Sequence, residues 1–216
     1  MKTVRIRLRH LLWLLIPIAL IFTFAARFAR ELTSGRAAGC EGKMFYISIS
    51  LLNYRERNGR FPPAFFADPN GKPIHSWRAY VEAEGDSDFD RFYSFREPWD
   101  TPRNLKAAER ASGPFGCPNN QGDPPRFASY VAIIDGARSS LDPVDVSAGG
   151  KTQDEQRILV VEYPNSKIAW TEPKDITVDE LATIAEGADP GGIGVIQADA
   201  RVVRLSRAKL LERFGR

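Results

Sequence analysis

Residues 11–26, LLWLLIPIALIFTFAA, constrain this chain more than any other stretch. They carry no charge, and Thr23 is the one strongly polar side chain among them. At helical rise, sixteen residues cover about 24 Å, somewhat less than the roughly 30 Å hydrocarbon core of a bilayer. His10 and Arg27, whose polar ends can snorkel, close the gap together with Phe28. Trp13 stands near one end, where an amphipathic ring prefers the interface. Pro17 is tolerated as a kink. The expectation is a transmembrane helix over residues 10–29, with residues 1–9 as a basic cytoplasmic tail.

Charge supports that placement. Residues 1–36 hold seven basic side chains (Lys2, Arg5, Arg7, Arg9, Arg27, Arg30, Arg36) and one acid, Glu31. Taking these from the chain's 30 basic and 27 acidic residues leaves 23 and 26, a net charge of −3 beyond residue 36. The basicity belongs to the flanks of the apolar run, so nucleic acid is not an expected partner. Four basic residues precede the run with no acid among them, which favours an N-terminus in the cytoplasm and the remaining chain outside. A cleaved signal peptide is the rival reading; against it, Arg27 and Arg30 crowd the cleavage zone and no A-x-A precedes a neutral start. Ala37-Ala38-Gly39-Cys40 is only faintly lipoprotein-like, being distant from the run and lacking the expected Leu.

The two cysteines, Cys40 and Cys117, form one expected disulfide if the domain is exported. In a cytosolic domain they would be two unrelated buried thiols. With no CxxC and two histidines, a structural zinc site is not expected.

Beyond a juxtamembrane segment at 30–39, Met44, Ile47, Leu51 and Tyr54 fall on one face of a helix, with Ile49 and Leu52 broadening it and Gly59 as its stop. Phe61-Pro62-Pro63 forces an extended exit, and Asp68-Pro69-Asn70-Gly71 is a turn. Helices are expected at 77–83, at 88–95, and from Thr101-Pro102 to 111 with Thr as cap and Pro at the first position. Strands follow at 129–134 and 158–162, separated by a polar loop at 135–153. Thr177 to Glu180 fits a capping box for a helix to about residue 186. A hairpin is expected at 195–205 around Asp199-Ala200, then a basic helix capped by Ser206. Helices first and antiparallel strands later give an α+β domain.

The order of short motifs resembles a known family. Cys40, Leu52-Asn53-Tyr54, Gly59-Arg60-Phe61-Pro62-Pro63, Asn70-Gly71-Lys72-Pro73, His75-Ser76-Trp77-Arg78, Glu97-Pro98-Trp99-Asp100 with Asn104, Cys117-Pro118, Ser129-Tyr130-Val131, Val160-Val161-Glu162, Trp170-Thr171-Glu172-Pro173 and Asp189-Pro190-Gly191-Gly192 occur in sequence. Together they resemble the domain of unknown function 1559 family, planctomycete pilin-like proteins related to type II secretion pseudopilins. The resemblance spans about residues 40–205. It implies a pilin-like domain over 40–216, a long helix packed on an antiparallel sheet, and it implies no catalytic residues. Three departures stand out. Asp189 replaces the family's usual His, Ala200 replaces the usual Gly of the closing turn, and the N-terminus lacks the prepilin Gly-Phe-Glu pattern.

Chemical constellations are few. Asp86, Asp88, Asp90, Ser94 and Glu97 match EF-hand positions, but Arg91 stands where Gly is required, so a solvated acidic helix start is the preferred reading. His75 reads as a surface or hydrogen-bonding histidine, and Trp77, Trp99 and Trp170 as packing rather than a sugar platform. No Walker loop, GxSxG or HExxH occurs. The expectation is a membrane-anchored, non-enzymatic extracytoplasmic domain with a structural or interaction role in the cell envelope. No catalytic, cofactor or metal residue is assigned. Its partners are the lipid bilayer and envelope proteins or like subunits. The alternative is an extracytoplasmic solute- or polymer-binding module using the aromatic residues and the 135–153 loop.

Overall fold

The structure is a computed structural model that describes residues 21–24, 39–85, 88–111, 115–117, 127–143, 155–164, 166–183 and 191–215. The chain divides into two units, Met1–Gly39 and Cys40–Arg216. In the first, residues 21–24 are helical and exposed. The expectation of a transmembrane helix is corrected here. Among the described residues no helix is long and apolar enough to cross a membrane. Four helical residues cover about 6 Å where about 20 residues are needed; the rest of the expected span lies outside the described residues.

The second unit is α+β. Helix α1 (residues 40–58) turns Met44, Ile47, Leu51 and Tyr54 inward, as the helical spacing requires. Ile49, expected to broaden that face, is instead 39% exposed, beside Phe45 at 61%. Gly59 ends the helix with φ +74°, a conformation its missing Cβ permits.

A hairpin follows, β1 (Phe65–Ala67) with β2 (Pro73–Ser76). Its turn is held by Asp68, whose carboxylate accepts from Asn70 N–H and Lys72 N–H, both at 2.9 Å. Helices α2 (Trp77–Glu84), α3 (Phe89–Phe92) and α4 (Pro102–Arg110) come next. Ser76 and Thr101 cap α2 and α4, with Pro102 in the first turn.

The remaining strands are β3 (Tyr130–Val131), β4 (Ile133–Asp135), β5 (Arg138–Ser139), β6 (Ile158–Glu162), β7 (Ile176–Thr177), β8 (Ile193–Gln197) and β9 (Val202–Leu205). Helix α5 (Val178–Leu181) carries the full capping box of Thr177 and Glu180, and α6 (Arg207–Glu212) is capped by Ser206. The larger sheet runs β3-β6-β8-β9, every neighbour antiparallel. The smaller runs β5-β4-β7, with β4 and β7 parallel.

Strand alternation sends side chains to two cores. Tyr130, Val160 and Ile196 face a cluster that contains the α1 residues and Trp77, Phe89, Tyr93, Phe115 and Trp170. Val131, Val161 and Val195 face a second cluster with Ile133, Ile176, Leu181 and Leu210. The larger sheet is thus covered on one face by α1 and on the other by α5 and α6. The sheet approaches α1 closely at Gly194, where an added Cβ would lie 2.6 Å from Met44 Sδ. The expected loop at 135–153 begins instead as the β4–β5 hairpin, with Leu141 buried beyond it; residues 144–153 lie outside the described residues.

Candidate functional site

The run 129–134 is expected as one strand, but it changes sheets. Tyr130 and Val131 pair with β6, whereas Ile133 and Ile134 pair with β5 or β7. Ala132 stands at the changeover. A buried strand that changes partners needs acceptors and donors from elsewhere for its backbone. Arg78 and Asp175 supply them. Asp175 accepts from Ala132 N–H at 2.8 Å, and Arg78 Nε–H donates to the Tyr130 carbonyl at 2.9 Å.

Those two side chains also form an ion pair between Arg78 Nη2 and Asp175 Oδ1, with side-chain exposures of 0% and 1%. Trp77 Nε1–H donates to Asp175 Oδ2 at 3.2 Å. Arg78 Nη1 donates to Ser76 Oγ at 2.7 Å and to the Lys174 carbonyl at 3.3 Å. Burial pushes the Arg78 guanidinium down and the Asp175 carboxyl up from their ordinary pKa values; the chief opposing influence on each is the other's charge. A guanidinium presents a rigid fork of five donors, which suits one residue to several acceptors at once. The cluster joins the start of α2, the sheet changeover and the entry to β7.

His75 lies next to this cluster, fully buried in β2 rather than at the surface. Nε2 faces the Phe95 carbonyl at 3.0 Å, so that nitrogen carries the proton, and Nδ1 accepts from the Tyr93 hydroxyl at 2.9 Å. Burial lowers its pKa, with the Phe95 carbonyl opposing. Tyr93 is raised, again chiefly by burial.

Asn104 performs a similar task for the loop after α3. Its Oδ1 accepts from Ser94 N–H at 2.7 Å, and its Nδ2 donates to the carbonyls of Ser94, Glu97 and Pro98 at 2.9, 3.0 and 2.9 Å. The loop that resembles an EF-hand is therefore fastened by an amide. Asp88 is paired with Arg91, and Asp86 lies outside the described residues. Asp88, Asp90 and Glu97 do not form a metal-ligating group among the described residues.

The disulfide joins Cys40 to Cys117, with Cα atoms 5.2 Å apart, and ties α1 to the segment 115–117. Beside it the Tyr130 hydroxyl donates to the Cys40 carbonyl at 3.1 Å. Tyr130 is raised by burial and then by the charge of Glu162. Glu162 ends β6, buried, with its Oε2 3.6 Å from Arg204 Nη2 and 3.4 Å from Gly194 N–H. Arg204 also reaches the exposed Glu41 at 3.3 Å and the Gly192 carbonyl at 2.6 Å.

Trp77 and Trp170 are fully buried in the first core, and Trp99 is half-buried. Sequence reasoning missed Asp175 and Glu162. Asp175 lies 97 residues from Arg78, and no local pattern marks it. Glu162 had a visible signal: an acid closing the apolar run ILVVE. Compared with known proteins, the chain matches no family model, no curated protein and no solved structure.

Proposed function

We propose that the chain is a non-enzymatic extracytoplasmic domain of the cell envelope, related to the domain of unknown function 1559 family, with a structural or interaction role. The observation that carries this reading is the buried Cys40–Cys117 disulfide, since such bonds persist in oxidising compartments. The internal use of polar chemistry supports it. Arg78, His75 and Asn104 are buried, as is the side chain of Asp175, and their hydrogen bonds run to backbone and neighbouring side chains. A buried group engaged in this way holds a fold and does not meet a substrate. The apolar uncharged run at 11–26 brings the chain to the lipid bilayer, and its further partners are envelope proteins or like subunits.

The outward face of α1 is the surface we assign to such a partner. Phe45, Tyr46 and Ile49 are exposed there at 61%, 41% and 39%. Photo-crosslinking from Phe45 and Ile49 in native membranes should give discrete protein adducts, whereas the same probe at Arg201 should not. Equal labelling from all three positions, or none, refutes the interaction reading. Protease added outside intact spheroplasts should degrade residues 40–216; protection refutes the location. A second reading, a solute- or polymer-binding module, draws on the half-buried rings of Phe66, Tyr80 and Phe95, with centroid spacings of 3.5 and 4.4 Å. Saturable binding of a glycan that Tyr80→Ala abolishes would favour it.

A further inference from the structure

An asparagine followed by glycine is chemically vulnerable, because no side chain on the glycine obstructs attack by its amide nitrogen on the asparagine carboxamide. The chain holds two such pairs, Asn58-Gly59 and Asn70-Gly71. Both asparagines are exposed, so exposure does not tell them apart. The attacking amides are alike as well: Gly59 N–H donates to the Arg55 carbonyl at 2.8 Å and Gly71 N–H to the Asp68 carbonyl at 2.9 Å. The carboxamides differ. Asn58 closes α1, and its Nδ2 donates to the Tyr54 carbonyl at 3.0 Å and to Glu84 Oε1 at 3.1 Å. The Asn70 side chain makes no hydrogen bond among the described residues.

We propose that Asn70 is a self-modification site, converting to aspartate or isoaspartate in the folded chain while Asn58 is spared. The Gly71 nitrogen bonds to Asn70 Cγ, and the Cγ–Nδ2 bond breaks. Ammonia leaves, carrying the Gly71 amide proton with it. One water then opens the cyclic imide. Opening at the side-chain carbonyl gives aspartate; opening at the main-chain carbonyl gives isoaspartate. Nothing is oxidised or reduced.

Asp68 sets the pace. Its Oδ1 accepts from Asn70 N–H and from Lys72 N–H, both at 2.9 Å, so the amides on either side of the reacting glycine are pinned to one atom. The chain must turn about Asn70 to bring the Gly71 nitrogen onto Cγ, and at least one pin must release. Conversion then undoes the turn. Isoaspartate adds one carbon to the backbone, about 1.5 Å, between the two pinned amides, and the spacing that lets both reach Asp68 is lost. Either product also sets a second carboxylate beside that of Asp68. The hairpin should loosen at its Ala67–Pro73 end. Its other end is held from outside, by Ser76 N–H on the Thr171 carbonyl at 3.2 Å and Trp77 N–H on the Ala64 carbonyl at 3.3 Å.

The test holds the full-length chain, disulfide intact, in warm and mildly alkaline buffer. Mass spectrometry of the peptides carrying residues 58 and 70 reads the replacement of NH2 by OH. Asn58 must first break two hydrogen bonds, so conversion at Asn70 should lead by about 5–150-fold. In urea the two rates should converge. A ratio in the folded chain equal to that in urea, or conversion led by Asn58, overturns the proposal. Asp68→Ala removes the pins and should speed conversion at Asn70 by about 2–10-fold; an unchanged rate refutes the part given to Asp68. Hydrogen exchange on the converted chain should quicken at residues 70 and 72 and stay as it was at 76 and 77. Unaltered exchange at the turn refutes the loosening.

Discussion

Replacing Asp175 by alanine is the sharpest test of how the domain is held together. The change leaves the Arg78 guanidinium, at 0% exposure, without its counter-ion. It also strips the acceptor from Ala132 N–H and from Trp77 Nε1–H. Breaking a buried ion pair from one side costs about 3–5 kcal/mol. Each further buried donor left unpaired adds about 1–3 kcal/mol, partly offset by water entering the vacated space. A loss of about 4–6 kcal/mol is therefore expected, a large part of the 5–15 kcal/mol that holds a typical domain. At about 2–4 °C per kcal/mol for a domain of this size, Tm should fall by about 8–24 °C. The double variant Arg78→Met, Asp175→Leu separates pair from scaffold. An isolated buried pair replaced in this way is often neutral. Here Tyr130 and Lys174 carbonyls, Ala132 N–H and the Trp77 indole also lose partners. At about 0.5–1 kcal/mol each, the double variant should remain about 2–4 kcal/mol below the parent. Urea unfolding of the oxidised chain, followed by tryptophan fluorescence at constant m, measures both. A loss under about 1 kcal/mol for Asp175→Ala, or full recovery in the double variant, would refute the reasoning.

Three other perturbations follow from single sites. Gly194→Ala forces a Cβ toward Met44 Sδ and Glu162 Oε2 and should cost about 1–3 kcal/mol, relieved in part by Met44→Ala; an unchanged Tm in the single variant would deny the close approach. Ala200 closes the β8–β9 hairpin with φ +67°, so Ala200→Gly should stabilise by about 0.5–1 kcal/mol once glycine's greater unfolded freedom is subtracted; destabilisation in urea would count against it. His75 is held below its ordinary value of 6.5, so between that value and its folded pKa the unfolded chain binds the proton more readily. The contribution is intact above pH 6.5 and is lost as pH falls through that window. The slope of stability against pH should therefore flatten in His75→Gln, and an identical slope would show that His75 is not its source.

Local chemistry was legible where its partners lie within a turn or two. The inward face of α1, the Asp68 turn, the caps at Ser76, Thr101, Thr177 and Ser206, the apolar β6 and the β8–β9 hairpin follow from spacing and from hydrogen bonds between near neighbours. Alanine in place of glycine at the hairpin turn was visible too, and its φ of +67° is where that replacement costs, since a positive φ is a property of one residue. The disulfide was legible from an even cysteine count, although only the fold brings the two Cα atoms to 5.2 Å. Tertiary structure alone decided the rest. An unbroken apolar run such as SYVAII does not reveal that Ala132 divides it between two sheets, since both halves are buried. Arg78 looked like one more charged helix residue, and apart from Ser76 its acceptors lie 52 to 97 residues away. His75 read as a surface or hydrogen-bonding histidine; that it is buried, and which partners it meets, was hidden because Tyr93 and Phe95 are brought to it by the path of α3, not by spacing. Periodicity records which side of an element is apolar. Which buried polar groups meet depends on how the elements cross, and that is set by the packing of the whole domain.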